Sequence, residues 1–341
     1  MERSRRAFLK TAGMSAGAAA AGPALLVGAQ PGAAQAAMDG DPDLPRGLTL
    51  GTIRRNNQWR LVVRTDRGLL DVAAARESMD IDLPSSMDEL FVRGGGGKLV
   101  QLADAATRGD AARRYLLKES EVEFGPCVTN PEKIICVGLN YWKHAQEMGA
   151  QPPGTPMLFN KYNNALMGHR GTLPLPTRVA NAFDYEVELV IVMGRTARNV
   201  GKEEALSYVA GYRTGNDMSA RDLQRKTSQF MLGKACDGFA PIGPWLVTAD
   251  LVPDPNALDL WCEVNGERRQ SSNTKDMIFD CRELVSYISR HMTLKPGDII
   301  FTGTPEGVIA GYKPEKQVWL KPGDRIRCAV GQLGALEYVL A

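Results

Sequence analysis

The chain has 341 residues, of which 44% are hydrophobic and 23% are charged, and its formal net charge is +2. This length allows one large domain or two smaller ones, and the composition is that of a globular protein. The near-neutral charge and the absence of a basic stripe give no indication of nucleic-acid binding.

The N-terminus resembles a twin-arginine export signal. Residues 4–10 read SRRAFLK, an Ala/Gly-rich stretch follows, and residues 34–36 (AQA) form a cleavage-like site. We therefore predict a signal peptide over residues 1–36, export by the twin-arginine translocation machinery to a bacterial periplasm, cleavage near Ala36 and no stable membrane association. The alternative, an uncleaved anchor of a membrane-bound scaffold, is disfavoured by Pro23 and by the weak hydrophobicity of the stretch.

Residues 37–127 are predicted to form a small α+β N-terminal domain. A short Asp/Pro-rich linker opens it, and Ser86 with Glu89 is typical of a capping box at a helix start. The predicted elements are strands at 48–53 and 60–65 and a helix at 98–117.

Residues 128–341 are predicted to form a β-rich domain. An Asn265-Gly266 pair indicates a hairpin, and Asp280 with Glu283 would cap one helix at 281–291. The predicted strands lie at 133–138, 187–193, 209–216, 245–248, 258–264, 299–302, 325–330 and 335–340. The fold class is therefore α+β and β-rich, and a doubly wound α/β fold is disfavoured.

Two glutamates head the strand at 187–193. Side chains alternate on a strand, so Glu186 and Glu188 share a face. Unpaired carboxylates on one face repel each other and resist burial, and a divalent cation removes both penalties. Oxygen ligands predict a hard ion such as Mg²⁺, Mn²⁺ or Ca²⁺.

Asp217 follows the strand at 209–216 and is a candidate third ligand. Three protein oxygens would leave positions for water and substrate on an octahedral ion. From spacing alone, a helix N-cap is an equally good interpretation of Asp217.

His144 and Glu147 are three residues apart, so they share a face of a helical turn. A carboxylate that orients an imidazole makes a general base, whereas taken alone the pair also suits a solvated helical turn. His169 lies in a turn and His291 at a helix end, which leaves His144 as the best candidate base.

Two lysines and one loop are further candidates. Lys161 and Lys234 could each neutralise a developing enolate or a substrate carboxylate. The loop at 302–307, which includes Thr304, could present backbone N–H groups to a carboxylate. Surface lysines and a plain loop are the alternatives.

Taken together, the motifs over residues 133–341 resemble the fumarylacetoacetate hydrolase family. They occur in family order: 137–141 (VGLNY), 184–188 (DYEVE), 216–217 (ND), 220–222 (ARD), 233–234 (GK), 237–239 (DGF), 241–244 (PIGP), 294–298 (LKPGD) and 302–305 (TGTP).

The resemblance implies a β-sandwich/roll catalytic domain, usually a homodimer, and an N-terminal unit similar to that of longer bacterial members. It also implies roles for individual residues: Glu186, Glu188 and Asp217 as metal ligands, His144 and Glu147 as the water-activating dyad, Lys234 as the active-site lysine, and Arg221, Gln224 and Thr304 on the substrate side.

The leading functional hypothesis is a metal-dependent hydrolase that cleaves a C–C bond of a 2-oxo acid, such as an acylpyruvate or a fumarylpyruvate-like compound, through an enolate. The same electrophilic site would serve an oxaloacetate-type decarboxylase or a 2-hydroxymuconate-type isomerase. A non-enzymatic binding protein with a structural Ca²⁺ is a competing hypothesis, which the presence of His144, Glu147 and Lys234 disfavours.

Overall fold

A computed structural model describes residues 41–108 and 114–341. It confirms the predicted class, a β-rich α+β fold with few helices. The signal predicted at residues 1–36 lies outside the described residues. In the described part of the chain, no helix combines the length and apolarity that crossing a membrane requires.

The N-terminal region forms a small curved sheet covered by three helices. The helices pack their buried leucines and alanines on this sheet. Its elements are β1 (Thr49–Arg55), β2 (Gln58–Thr65), β3 (Gly68–Asp71), α1 (Val72–Met79), α2 (Met87–Arg93), α3 (Gly96–Arg108), β4 (Leu116–Leu117) and β5 (Glu123–Phe124).

Two details of this region differ from prediction. The helix predicted to 117 ends at Arg108, because Leu116 and Leu117 pair with β3 and so complete the sheet edge. Ser86 caps α2 as predicted, accepting from the Glu89 N–H at 3.1 Å. The Glu89 carboxylate, however, accepts from the Ser85 N–H rather than from the cap residue.

One large sheet runs through the protein and includes these N-terminal strands. Its further members are β6 (Ile134–Gly138), β7 (Met157–Lys161), β8 (Leu166–Met167), β11 (Val187–Met193), β12 (Val209–Asn216), β14 (Ala240–Thr248) and β17 (Ile299–Phe301). Strand order is β4-β3-β2-β1-β14-β12-β11-β17-β6-β7, with β5 beside β1 and β8 beside β14. Because β1 pairs with β14, the sheet is continuous across residue 127, and the domain boundary proposed there stays a prediction.

A second sheet packs over the first, and the largest apolar cluster fills the space between them. Its hairpin turns at Asn265 and Gly266 with φ of 53° and 83°, which confirms the predicted turn. Its strands, in spatial order, are β16 (Glu267–Asn273), β15 (Asp259–Val264), β18 (Arg325–Val330), β19 (Ala335–Leu340) and β9 (Thr172–Leu173). Helix α7 (Cys281–His291) is capped by Asp280 as predicted.

The remaining short elements surround one end of β11 and β12. They are α4 (Trp142–Glu147), the two-stranded sheet of β10 (Phe183–Asp184) and β13 (Ser219–Ala220), α5 (Arg221–Gln224) and α6 (Met231–Lys234). Strand β11 is buried along its whole length, and its antiparallel register with β12 places Val187 opposite Asn216. The residues just beyond these strand ends therefore meet.

Candidate active site

Three buried carboxylates meet where β11 and β12 come together. Glu186 immediately precedes β11, Glu188 is its second residue, and Asp217 immediately follows β12. The Asp217 N–H donates to the Glu186 carbonyl at 2.8 Å, which fixes the two strand ends together. Carboxylate oxygens of all three lie within 4.8 Å of one another, and we call this group the carboxylate triad.

The Asp217 side chain belongs to the carboxylate triad and does not cap a helix. Helix α5 begins at Arg221 with Ala220 as its N-cap residue. The Asp217 side chain instead lies between two lysines, with Oδ1 2.6 Å from Lys161 Nζ and Oδ2 2.8 Å from Lys234 Nζ. The Lys161 contact lies off the line of a hydrogen bond, so Oδ1 is buried without a hydrogen-bond partner.

Cationic side chains neutralise one side of the triad. Lys234 Nζ is 2.5 Å from Glu186 Oε2, and Arg221 Nη2 is 2.6 Å from Glu186 Oε1. Burial alone would raise the pKa of Glu186, but the charges of Arg221 and Lys234 lower it to about 2. Conversely, burial would lower the pKa of Lys234, and the Asp217 and Glu186 carboxylates raise it.

Glu188 has no such cationic partner among the described residues. Burial, followed by the charges of Asp217 and Glu186, raises its pKa well above the ordinary value. The one hydrogen bond that the Glu188 carboxylate accepts from a described residue comes from the Gly303 N–H at 2.7 Å. The oxygen-only donor set and the uncompensated Glu188 fit a divalent hard cation held by these three residues.

Lys161 lies behind Asp217. Its ammonium donates to the Met218 and Phe239 carbonyls at 3.1 and 2.6 Å and does not line the cavity described below. In this position Lys161 holds Asp217, whereas the sequence assigned it to the substrate side.

His144 and Glu147 form the predicted pair on α4. His144 Nδ1 is 2.8 Å from Glu147 Oε1, and both groups are largely buried. Because a carboxylate accepts from Nδ1–H, Nε2 is the nitrogen left free to take a proton. The other oxygen of Glu147 accepts from the Gly307 N–H at 2.9 Å, so the carboxylate is fixed from two sides.

A single loop at residues 303–311 binds three acids of the site. Besides Gly303 to Glu188 and Gly307 to Glu147, the N–H groups of residues 309 and 310 donate to Asp184 at 2.9 and 3.0 Å. The sequence predicted N–H groups here for a substrate carboxylate. The structure uses them to orient carboxylates of the protein itself.

Sequence reasoning gave no role to two buried residues that organise this site. Asp184 accepts from Arg221 Nε at 2.9 Å and thereby aligns the guanidinium that contacts Glu186. Gln270 accepts from the Val187 N–H and donates to Thr304 Oγ1 at 2.9 Å, which joins β11 to the loop. Asp184 precedes the glutamate pair, a usable signal, but nothing in the polar strand around Gln270 distinguishes it.

The triad opens into a cavity of about 380 Å³. The predicted site residues that line it are His144, Glu186, Glu188, Asp217, Arg221, Gln224, Lys234 and Thr304. Apolar and aromatic residues complete its walls, among them Phe159 and Phe230, whose rings meet edge-on at 5.6 Å. The cavity is thus lined by charged groups and by apolar surface, with the Phe159 ring 5.1 Å from Lys234 Nζ.

Comparison with known proteins identifies the family. Residues 133–341, more than half of the chain, match the model of the fumarylacetoacetate (FAA) hydrolase C-terminal domain. The chain belongs to the fumarylacetoacetate hydrolase family. It is accordingly an enzyme of a metal-using family, as the sequence predicted.

Relatives of known structure or name extend beyond this domain. Mitochondrial oxaloacetate tautomerase Fahd2a of Rattus norvegicus is 40% identical over 260 residues, covering 76% of this chain and 80% of the relative. Fumarylacetoacetate hydrolase from Exiguobacterium antarcticum is 33% identical, with a TM-score of 0.71 over 86% of this chain and 99% of that one. Fumarylpyruvate hydrolase from Pseudomonas aeruginosa, solved with Mn²⁺ and pyruvate, is 35% identical, with a TM-score of 0.57 over 64% and 91%.

Proposed function

We propose that the protein is a divalent-metal-dependent enzyme that interconverts the enol and keto forms of a 2-oxo acid by proton transfer. Oxaloacetate keto–enol tautomerisation is the leading reaction. One observation carries this: His144 and the carboxylate triad line the same cavity. The oxaloacetate tautomerase relatives, about 40% identical over most of their length, support the same reaction.

The triad residues would hold Mg²⁺ or Mn²⁺. A bound ion supplies a Lewis acid for the carboxylate and the adjacent keto oxygen of a 2-oxo acid. Lys234 places a permanent positive charge beside the triad, where it stabilises negative charge that develops on that oxygen. His144, oriented by Glu147, takes the proton from the carbon next to the keto group and delivers it to the enolate oxygen, and the reverse transfers return the enol to the keto form.

C–C bond cleavage of an acylpyruvate or fumarylpyruvate-like compound is the second candidate, and the size of the cavity favours it. About 380 Å³ lies in the range of small-molecule sites, about 300–1,000 Å³, and leaves room beyond a four-carbon acid. In this reaction His144 takes a proton from water, which attacks the distal carbonyl, and Lys234 stabilises the departing enolate. The structural relative named fumarylpyruvate hydrolase supports this reaction.

A substrate panel with Mg²⁺ or Mn²⁺ distinguishes these reactions. It contains oxaloacetate, assayed separately for tautomerisation and for loss of CO₂, together with acylpyruvates, fumarylpyruvate and 2,4-dioxo sugar acids. We expect metal-dependent turnover of oxaloacetate enol. Turnover confined to acylpyruvates would replace tautomerisation with hydrolysis, and metal-independent turnover would refute the site.

His144→Asn tests the base. We expect kcat to fall by about 10²–10⁴-fold, the usual contribution of a general base, while binding of Mn²⁺ persists. His291→Asn, at the exposed end of α7, is the matched control. Full activity of His144→Asn would exclude this residue as the base.

We also propose that the protein is exported by the twin-arginine machinery to the periplasm and acts as a homodimer. The SRRAFLK pattern supports export, and the family resemblance supports the dimer. Mass spectrometry of the mature protein should find the chain beginning near residue 37, and an intact N-terminus would contradict cleavage.

A further inference from the structure

Arg225 differs from the other cations that line the cavity. Arg221 and Lys234 are buried and paired with Asp184, Glu186 and Asp217. Arg225 also lines the cavity, but its side chain is exposed and has no hydrogen bond or ion pair to any residue that the structure describes. It is therefore a residue of the cavity lining whose positive charge is available to a ligand.

The position of Arg225 is fixed by the same helix that serves the triad. It directly follows α5, and its N–H donates to the Arg221 carbonyl at 3.2 Å. Residues one turn apart on a helix have Cβ atoms about 6 Å from each other. The two arginines thus lie at successive turns, with the first at the buried triad and the second toward the open end.

This segment is also rigidly supported. A Cβ atom at Gly233 of α6 would lie 2.5 Å from the Ala220 carbonyl oxygen and 2.5 Å from the Gln224 backbone nitrogen. Only glycine permits α6 and α5 to pack this closely. The backbone that carries Arg225 is therefore braced against the helix that carries Lys234.

The charges of the cavity distinguish its two ends. At the buried end, Lys234 and Arg221 are already committed to carboxylates of the protein. At the open end, Arg225 and the neighbouring Thr227 are exposed and polar, beside the ring of Phe230. A guanidinium at this place matches a carboxylate, which it can bind through two hydrogen bonds.

We propose that Arg225 binds a carboxylate at the end of the substrate remote from the carboxylate triad, so that the enzyme selects 2-oxo dicarboxylates over 2-oxo monocarboxylates. This inference rests on the proposed function, in which the 2-oxo acid group lies at the triad. It names the substrate class of the same site: a carbon chain with an anionic group at each end.

Paired ligands of equal length test this proposal without turnover. 2-Oxoglutarate and 2-oxopentanoate differ only in a terminal carboxylate against a methyl group, and 2-oxoadipate and 2-oxohexanoate form a longer pair. Their affinities are measured by calorimetry in the presence of Mn²⁺. We expect the dicarboxylate of at least one pair to bind about tenfold more tightly, a preference that salt reduces because Arg225 is exposed.

Arg225→Gln should reduce this preference to about twofold or less, mainly because the dicarboxylate binds with lower affinity. Arg225→Lys should retain part of the preference. Lys226→Gln is the matched control, because Lys226 is exposed and does not line the cavity. An undiminished preference in Arg225→Gln, or an equal loss in Lys226→Gln, would overturn the proposal. A wild type that binds none of the four ligands but turns over an acid of the substrate panel would also overturn the proposal, whereas one that turns over none of that panel would refute the proposed function on which it rests.

Discussion

Replacing Glu188 with glutamine tests the carboxylate triad most directly. Two carboxylate charges 4.8 Å apart repel by about 3.5 kcal/mol at an effective dielectric constant of about 20. The Glu188 carboxylate is repelled in this way by both Glu186 and Asp217. The amide oxygen of the introduced glutamine can still accept the Gly303 N–H, so the substitution removes charge and retains the hydrogen bond.

The two forms of the protein should respond in opposite directions. Without metal, Glu188→Gln should leave the free energy of unfolding unchanged or raise it, because the repulsion is gone. With about 1 mM Mn²⁺ and a Kd of about 10 μM, the wild type gains about 2.7 kcal/mol, which corresponds to a rise in Tm of about 4 °C for a chain of this size. A variant that binds about 100-fold more weakly gains about 0.4 kcal/mol under the same conditions.

Thermal unfolding with and without Mn²⁺ measures both effects. Glu337→Gln, which removes an exposed carboxylate paired with Arg327, is the control and should keep the full metal-dependent rise. The reasoning fails if Glu188→Gln keeps that rise, or if the metal-free variant loses several kcal/mol.

Two further substitutions test buried polar groups, one of them next to the site. Burial, and then the charge of Arg170, lowers the pKa of His169 from 6.5 to about 4, and its Nδ1 accepts from the backbone N–H of residue 337. As pH decreases, the histidine is therefore protonated in the unfolded chain before it is protonated in the folded protein, and the free energy of unfolding should fall by up to about 3 kcal/mol between pH 6.5 and 4. Urea unfolding of His169→Asn should show a smaller decrease. A pH profile identical to that of the wild type would exclude His169 as the cause. Asp184→Asn leaves Arg221 beside a neutral amide and should lower the free energy of unfolding by about 3–5 kcal/mol. The control Asp222→Asn should lower it by about 1 kcal/mol or less. Equal losses in urea unfolding would contradict the stabilising role of the buried Asp184–Arg221 pair.

The sequence predicted the residues that bear charge better than it predicted their partners. Glu186 and Glu188 were recognisable because strand alternation puts both on one face, and His144 and Glu147 because helical spacing does the same. These are local regularities. Lys161 ends β7 and Asp217 follows β12, and these strands are not neighbours in the sheet. Their contact is a tertiary one, which local spacing does not contain.

Tertiary pairing also explains the error in secondary structure. The apolar spacing after residue 98 suits a helix, yet Leu116 and Leu117 join β3 because the sheet edge offers hydrogen bonds and burial there. The role of Gln270 was hidden for a related reason. Only the fold shows which residue of a polar edge strand turns inward toward Thr304.

The loop at 303–311 limits how the site can be altered. Its backbone is matched to three acids at once, so an insertion or deletion there would disturb the base, the triad and Arg221 together. The segment at 224–230 on the open side has mostly exposed side chains, where single replacements usually change stability by about 0.5 kcal/mol or less. Engineering of a new substrate range should therefore leave the loop intact and diversify the segment at 224–230. The loop is constrained by the hydrogen bonds of its backbone, whereas the exposed side chains of the segment are free to vary.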